Sequence, residues 1–318
     1  MQKEIGILPF SEEKVSRPAE KVPNNIVSIG TLNKWQKGFK GEGVVIAVMD
    51  TGCETNHPDL RDRIVGTYNF SEEYNKNISI VEDLNGHGTH VAGIIAGSLN
   101  NSGIVGVAPK ASLLILKTLN RYGMGKTESL IDAINYAVDW RGQKGEKVRI
   151  ISLSLGMKNE NSELLKAIKR AIENNISVVA ASGNNGDGEI TTNEYRYPSA
   201  YNEVISVGAL QSMDRVAFFS NTNEHVDIYA PGEAIYSSYI EGGYTILSGT
   251  SMAAPHVSGT LALLIEEYEK KYDETITEEY AYELLMYHSE ILQVEENIYI
   301  NVLPLDKNVL DKKKEVKV

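Results

Sequence analysis

Five short apolar runs constrain this chain more than any other feature. They occupy 43–50 (GVVIAVMD), 111–119 (ASLLILKTL), 148–156 (VRIISLSLG), 175–184 (NISVVAASGN) and 203–210 (EVISVGAL). Each is rich in β-branched residues and nearly free of interruption, the pattern of a strand buried on both faces of a parallel sheet. Helical periodicities lie between them. Over 127–141, Leu130, Ile131, Ile134, Ala137 and Val138 recur at helical spacing, and over 162–174 Leu164, Leu165, Ile168 and Ile172 do the same, with Ser162 expected as the N-cap. Strand alternating with helix predicts an α/β class, doubly wound around a mostly parallel sheet. Such sheets collect chemistry in the crevice beyond the carboxyl ends of their strands. Asp50, Gly156 and Asn184 stand at three of those ends.

Composition narrows the partners. With 318 residues, 42% of them apolar, the chain has material for one large core, so one domain with tails is expected. A formal charge of −12 argues against nucleic acid or an anionic membrane as partner, because both need a basic face. No apolar run approaches the roughly 18 residues of a membrane helix, and the N-terminus lacks the basic-then-apolar order of a secretory signal. The single cysteine, Cys53, excludes an internal disulfide and fits a reducing compartment. A cytoplasmic protein is expected. Residues 1–25 are polar, carry Pro9, Pro18 and Pro23, and predict an extended arm; within it Ile7, Leu8, Pro9 and Phe10 form an isolated apolar tetrad.

Three patches carry reactive side chains. Ser251 follows a Ser-Gly-Thr turn and precedes a long apolar helical stretch, so it is either a helix cap or an exposed nucleophile. A hydroxyl is a poor nucleophile at neutral pH without a positioned base. His87, between Gly86 and Gly88 at the start of another helix, can be that base, because the glycines let a second chain segment approach. Asp50 ends a buried strand, where a lone carboxylate is costly and a histidine N–H is a fitting partner. Each residue alone has an ordinary structural explanation; the three together, in the order Asp, His, Ser, point to nucleophilic hydrolysis. An α/β-hydrolase would place Ser first and His last. A zinc site on His87 and His90 lacks the helical acid of the zinc protease motif. A catalytically silent binding module gains no support, since every catalytic position is filled.

The blocks DTG (50–52), GHGTHVAG (86–93) and GTSMAAPHV (249–257) resemble the signatures of the subtilisin-like serine proteases, over roughly residues 20–300. The resemblance implies a three-layer αβα sandwich and a serine endopeptidase acting on proteins and peptides through an acyl-enzyme on Ser251. His87 would move the proton and Asp50 would hold the imidazolium. AASGNNG (180–186) is similar to the block that supplies the oxyanion donor, here Asn184, beside the Ser251 backbone N–H. Ser154, Leu155 and Gly156 would form one wall of the peptide groove, and the 120–125 loop with Gly123 and Gly125 the other, so that a substrate adds as a strand. Two positions depart from the family. Met157 stands where a second small residue is usual, and Arg196 stands where the family places the floor of the primary specificity pocket; there it either favours an acidic side chain or points to solvent, which leaves apolar side chains as the default.

The same resemblance implies structural calcium. Glu20, Asp59, the Asn100 side chain and the carbonyls of Ser98, Ser102 and Ile104 would hold one Ca2+. A weaker cation site would use the carbonyls of Ser199, Tyr201 and Val204 with Asp227. YAVDWRG (136–142), YPSAYNEVISVGA (197–209) and DTGC look like the intracellular branch of the family. That branch implies a homodimer, and a precursor whose 1–19 extension inhibits the 20–305 catalytic domain by lying in the groove, followed here by a polar tail over 306–318. Ile7, Leu8, Pro9 and Phe10 match the branch's inhibitory motif, with Pro9 bending the backbone away from Ser251. Broad protein turnover is expected, with dedicated leader-peptide processing as the alternative. Cys53, three residues past Asp50, is either a site of inhibition by thiol reagents or a buried inert thiol.

Overall fold

A computed structural model describes residues 4–7 and 21–303, and the backbone of 11–15. Its strands are β1 (Glu4–Ile7), β2 (Ser11–Val15), β3 (Val45–Asp50), β4 (Ile64–Asn69), β5 (Ser112–Lys117), β6 (Met124–Lys126), β7 (Val148–Leu153) and β8 (Leu155–Gly156). The remainder are β9 (Ser177–Ala181), β10 (Ile205–Ser212), β11 (Arg215–Val216), β12 (Val226–Pro231), β13 (Ile235–Ser238), β14 (Tyr244–Ser248), β15 (Glu290–Glu295) and β16 (Ile298–Val302). The helices are α1 (Asn24–Ser28), α2 (Thr31–Gln36), α3 (His87–Ala96), α4 (Thr127–Asp139), α5 (Ser162–Glu173), α6 (Thr250–Tyr272) and α7 (Glu278–His288).

The five apolar runs supply β3, β5, β7, β9 and β10, which lie side by side in the order β5-β3-β7-β9-β10 and pair in parallel. β4 extends this sheet at one edge, and β12, β16 and β15 extend it at the other, with β15 antiparallel to β16. The period of two along each strand divides the core in two. On β3, Ile46 and Val48 enter one apolar cluster while Val45, Ala47 and Met49 enter the other; on β5, Leu113 and Ile115 part from Leu114 and Leu116 in the same way. Helices α3 and α6 cover the first face through Val91, Ile95, Val257, Leu261 and Leu264. Helices α4 and α5 cover the second through Leu130, Ile134, Leu164 and Ile168. The result is the three-layer sandwich expected of a doubly wound sheet.

One boundary differs from its expectation. The N-cap of α5 is Asn161, not Ser162: its Oδ1 accepts the N–H groups of Glu163 and Leu164 at 2.9 and 3.1 Å. Asparagine's carboxamide reaches the first-turn donors from one residue farther out, which leaves Ser162 as the first helical residue. The arm also does more than extend. β1 and β2 are paired strands, and α1 begins at Asn24. Leu8, Pro9, Phe10 and Glu20, and the 306–318 tail, lie outside the described residues.

Candidate active site

Asp50 is the last residue of β3 and almost fully buried. Its Oδ1 accepts the Thr51 backbone N–H at 2.7 Å and lies 2.8 Å from His87 Nδ1. His87 opens α3, and a close approach of two backbones brings it there. A Cβ at Gly88 would sit 2.2 Å from the Gly52 carbonyl oxygen, so only glycine lets α3 seat on the end of β3. A neighbouring loop fixes both. Thr51 Oγ1 donates to Asp83 Oδ1 at 2.8 Å and accepts from Gly88 N at 3.0 Å. Sequence reading passed over Asp83, although its spacing from Asn85 and Gly86 is that of a side-chain-capped turn.

Ser251 sits in the first turn of α6, one strand over. β7 neighbours β3 with Met49 opposite Leu153, so Ser154 emerges beside Asp50. Ser154 Oγ donates to the Ser251 carbonyl at 2.8 Å, and Ser251 Oγ donates to the Ser154 carbonyl at 3.2 Å. This reciprocal strap holds the start of α6 against the sheet. Asn184 follows β9 and faces the same helix start. Its Oδ1 accepts both the N–H and the hydroxyl of Thr250, each at 2.8 Å, which turns the amide nitrogen end away from Thr250. Thr250 thus sets the direction in which Asn184 can donate, a role the sequence left unassigned.

β6, with Gly125, and β8, with Leu155 and Gly156, lie on either side of β1, and both pair with it antiparallel. Ile7 N donates to the Gly123 carbonyl at 2.8 Å, and a Cβ on Gly123 would collide with the Ile7 side chain at 2.4 Å. Ile5 is fully buried in the cluster that holds Leu119, Leu130 and Leu155. Met157 continues the wall by exchanging backbone hydrogen bonds with Tyr197 at 2.8 and 2.9 Å. Its side chain packs into the core, which accommodates the departure from a small residue. The Arg196 guanidinium donates to Asn185 Oδ1 at 2.6 Å and to the Tyr195 carbonyl at 3.3 Å.

Histidine environments separate the roles. Burial pushes the His90 imidazole down to about 3, and its Nε2 faces the carbonyls of Ile235 and Thr245, so it is a neutral structural residue. Among the described residues no group of three or more His, Cys, Asp or Glu is placed to hold a metal. The Cys53 thiol is buried and, chiefly by that burial, pushed well above its ordinary range, the behaviour of an inert thiol.

Of the calcium residues, Asp59 is fully buried and takes three neutral donors: Asn100 Nδ2 at 3.1 Å, Ile104 N at 3.0 Å and Tyr244 OH at 2.9 Å. Among the described residues no basic side chain comes within 4.0 Å of it. Ser98 is tied to the same turn through its N–H to the Asp59 carbonyl at 2.9 Å, and Ser102 N donates to Asn100 Oδ1 at 3.1 Å. A buried carboxylate amid oxygen-rich turns and without a counter-charge fits a hard cation. The second set also has internal partners. Asp227 Oδ2 accepts Ser206 N and Oδ1 accepts the Tyr282 hydroxyl, both at 2.8 Å, burial raises its pKa, and the Tyr201 carbonyl accepts from Val204 N at 3.0 Å.

A carboxylate–imidazole pair and a strapped serine at the carboxyl edge of a doubly wound sheet define the subtilisin-like class of serine proteases. The chain belongs to the Subtilase family, which it matches over residues 41–295. It is 45% identical over 279 residues to the major intracellular serine protease of Bacillus subtilis (strain 168), covering 87% of this chain and 86% of that one. It is 43% identical over 286 residues to the intracellular serine protease of Paenibacillus polymyxa, covering 90% and 86%. With thermitase of Thermoactinomyces vulgaris it shares 42% identity over 229 residues, 72% of this chain and 77% of that one.

Proposed function

We propose that this serine protease cleaves proteins through Asp50, His87 and Ser251 and is held in check by its own N-terminal arm. Ser251 Oγ attacks the peptide carbonyl as His87 Nε2 takes its proton; Asp50 orients the imidazole through Nδ1 and stabilises its positive charge. Asn184 Nδ2 and the Ser251 N–H stabilise the oxyanion. His87 then protonates the departing amine, and water releases the acyl group by the same route in reverse. The observation that carries this reading is the 2.8 Å contact between His87 Nδ1 and Asp50 Oδ1, one strand from the Ser154–Ser251 strap. A fluorophosphonate should label the chain, and Ser251→Ala should abolish labelling; equal labelling of that variant sinks the assignment.

Two pairings support self-inhibition. β1 takes the middle position between β6 and β8, which is the position of a bound peptide, and β2 runs antiparallel to β14, the strand that leads into Ser251. Ser251 and His87 are both fully buried in the whole chain. A tethered strand competes with substrate at an effective concentration on the order of millimolar. This favours residues 1–19 as the inhibitory extension of a 20–305 catalytic domain. Recognition through backbone edges favours broad cleavage over dedicated leader-peptide processing.

Glu20, Asp59, Asn100 and the carbonyls of Ser98, Ser102 and Ile104 would hold calcium, which would neutralise Asp59 and tie the 97–106 loop to the base of the arm. The intracellular relatives, the lone cysteine and the acidic charge support a cytoplasmic location, which fractionation would test. The homodimer is carried by the likeness to the intracellular branch, and a monomer mass in sedimentation would remove it.

A further inference from the structure

The wall formed by residues 120–126 is anchored from behind by a turn outside every family block. Lys117 ends β5 opposite Asp50 and is fully buried. Its ammonium donates to the Thr51 carbonyl and pairs with Glu73 Oε2 at 2.9 Å. The other oxygen of Glu73, Oε1, takes Arg121 Nε at 2.8 Å. Arg121 is the second residue of the wall loop, and its carbonyl accepts Asn85 Nδ2 at 2.9 Å, two residues before His87. A second tie runs alongside: Glu72 Oε1 pairs with Lys126 Nζ, at the far end of β6, at 2.6 Å. The turn itself is firmly seated, since Phe70 N and Ser71 N both donate to the Lys117 carbonyl at 2.8 and 3.1 Å.

One carboxylate therefore bridges a buried cation beside the catalytic strand end and a half-exposed cation on the substrate wall. Glu73 is only 12% exposed; that burial by itself raises its carboxyl, but hydrogen bonds and charge from Arg121 and Lys117 together outweigh it and hold the group below the usual range. A chain segment with a single tight turn and few apolar residues, such as 120–125, has little packing of its own to hold it. Its position depends on such ties.

We propose that Glu73 is a positioning residue that sets how tightly the groove holds an extended peptide, by tying the substrate wall to the strand end that carries Asp50. This rests on the reading of the β6–β8 groove as the peptide site. A substrate long enough to pair with β6 feels the wall; an ester of one acylated amino acid does not reach it.

The test compares kcat/KM for those two substrates in the full chain. The short-to-extended ratio should rise about fivefold in Glu73→Gln, the scale of one partly buried ion pair. The arm lies against the same wall and loosens with it, but both substrates compete with the same arm, so the ratio is unaffected by that change. Arg121→Gln, which strands no charge in the interior, should raise the ratio alike, and the double variant should add nothing further. A ratio equal to wild type in both single variants, including an equal loss of both activities as a folding defect would give, overturns the proposal. Where the arm silences the full chain, the same ratios are read after removal of residues 1–19; failure of that form to turn over either substrate would overturn the reading of function itself, and this inference with it.

Discussion

The Thr51 hydroxyl donates to Asp83 Oδ1 at 2.8 Å, which places a second buried carboxylate directly behind the Asp50–His87 pair. Asp83 Oδ1 also accepts the N–H groups of Asn85 and Gly86 at 3.0 and 2.8 Å, and its Oδ2 accepts the N–H and hydroxyl of Thr89 at 2.9 and 2.7 Å. One acid thus locks the segment that follows Asp50 to the segment that presents His87.

Asp83→Asn replaces one acceptor oxygen by a donor and breaks part of this lock. The expected result is a fall in kcat of about ten- to a hundredfold with little change in KM, the scale of a misplaced catalytic group. Steady-state kinetics on a peptide substrate checks it. A change confined to KM would show that Asp83 does not orient the pair.

Removal of residues 1–19 should raise activity on a peptide substrate by tenfold or more, on the order of the advantage a tethered competitor holds. Ile5→Asp is the gentler variant, because it places a charge in the pocket where Ile5 is fully buried. It should raise activity in the intact chain. Unchanged rates in both would remove the arm from the inhibitory role.

Calcium should stabilise the chain by about 2.7 kcal/mol at a concentration one hundred times its Kd. Chelation should lower the Tm, and added Ca2+ but not Mg2+ should restore it. Asp59→Asn should erase the difference between the two conditions. A Tm indifferent to chelation in the wild-type chain leaves Asp59 as a purely structural acid.

Glu278, in the first turn of α7, carries a pH signature. Burial, assisted by the neighbouring Glu279 charge, pushes it up to about 7 despite the Ser177 hydroxyl bonded to it. A carboxyl raised in the folded state binds its proton more tightly folded than unfolded. It therefore costs nothing below the unfolded value near 4.5, destabilises increasingly as pH rises toward about 7, and imposes a constant penalty above that. The penalty is at most about 3 kcal/mol. Glu278→Gln should match wild type in Tm at pH 4 and exceed it at pH 8. A gain of the same size at both pH values would show that the charge is not the cause.

The main sheet was legible because strands buried on both faces must be apolar at nearly every position, a signal that needs no knowledge of neighbours. The α5 cap was misplaced by one residue because Asn161 and Ser162 are both good capping types, and only the backbone angle and side-chain reach choose between them. Asp50, His87 and Ser251 were legible as candidates because each lies in a long contiguous motif block. Asp83, Thr250 and Glu73 were not, because each acts on a partner that the fold, not the local spacing, brings close. The surroundings of Asp227 were illegible for the same reason: Tyr282, which donates to one of its oxygens, lies 55 residues further on.

By itself, the sequence determined the layered α/β architecture, the family and the identity of the side chains at the strand ends, since periodicity and short contiguous motifs express those directly. Tertiary structure alone decided how Asp50 meets His87, which carboxylate braces that pair from behind, and that β1 is the middle strand between β6 and β8. Hydrogen bonds and ion pairs act over about 3 Å in space, whatever the separation along the chain, so geometry of that kind exists only once the chain has closed on itself.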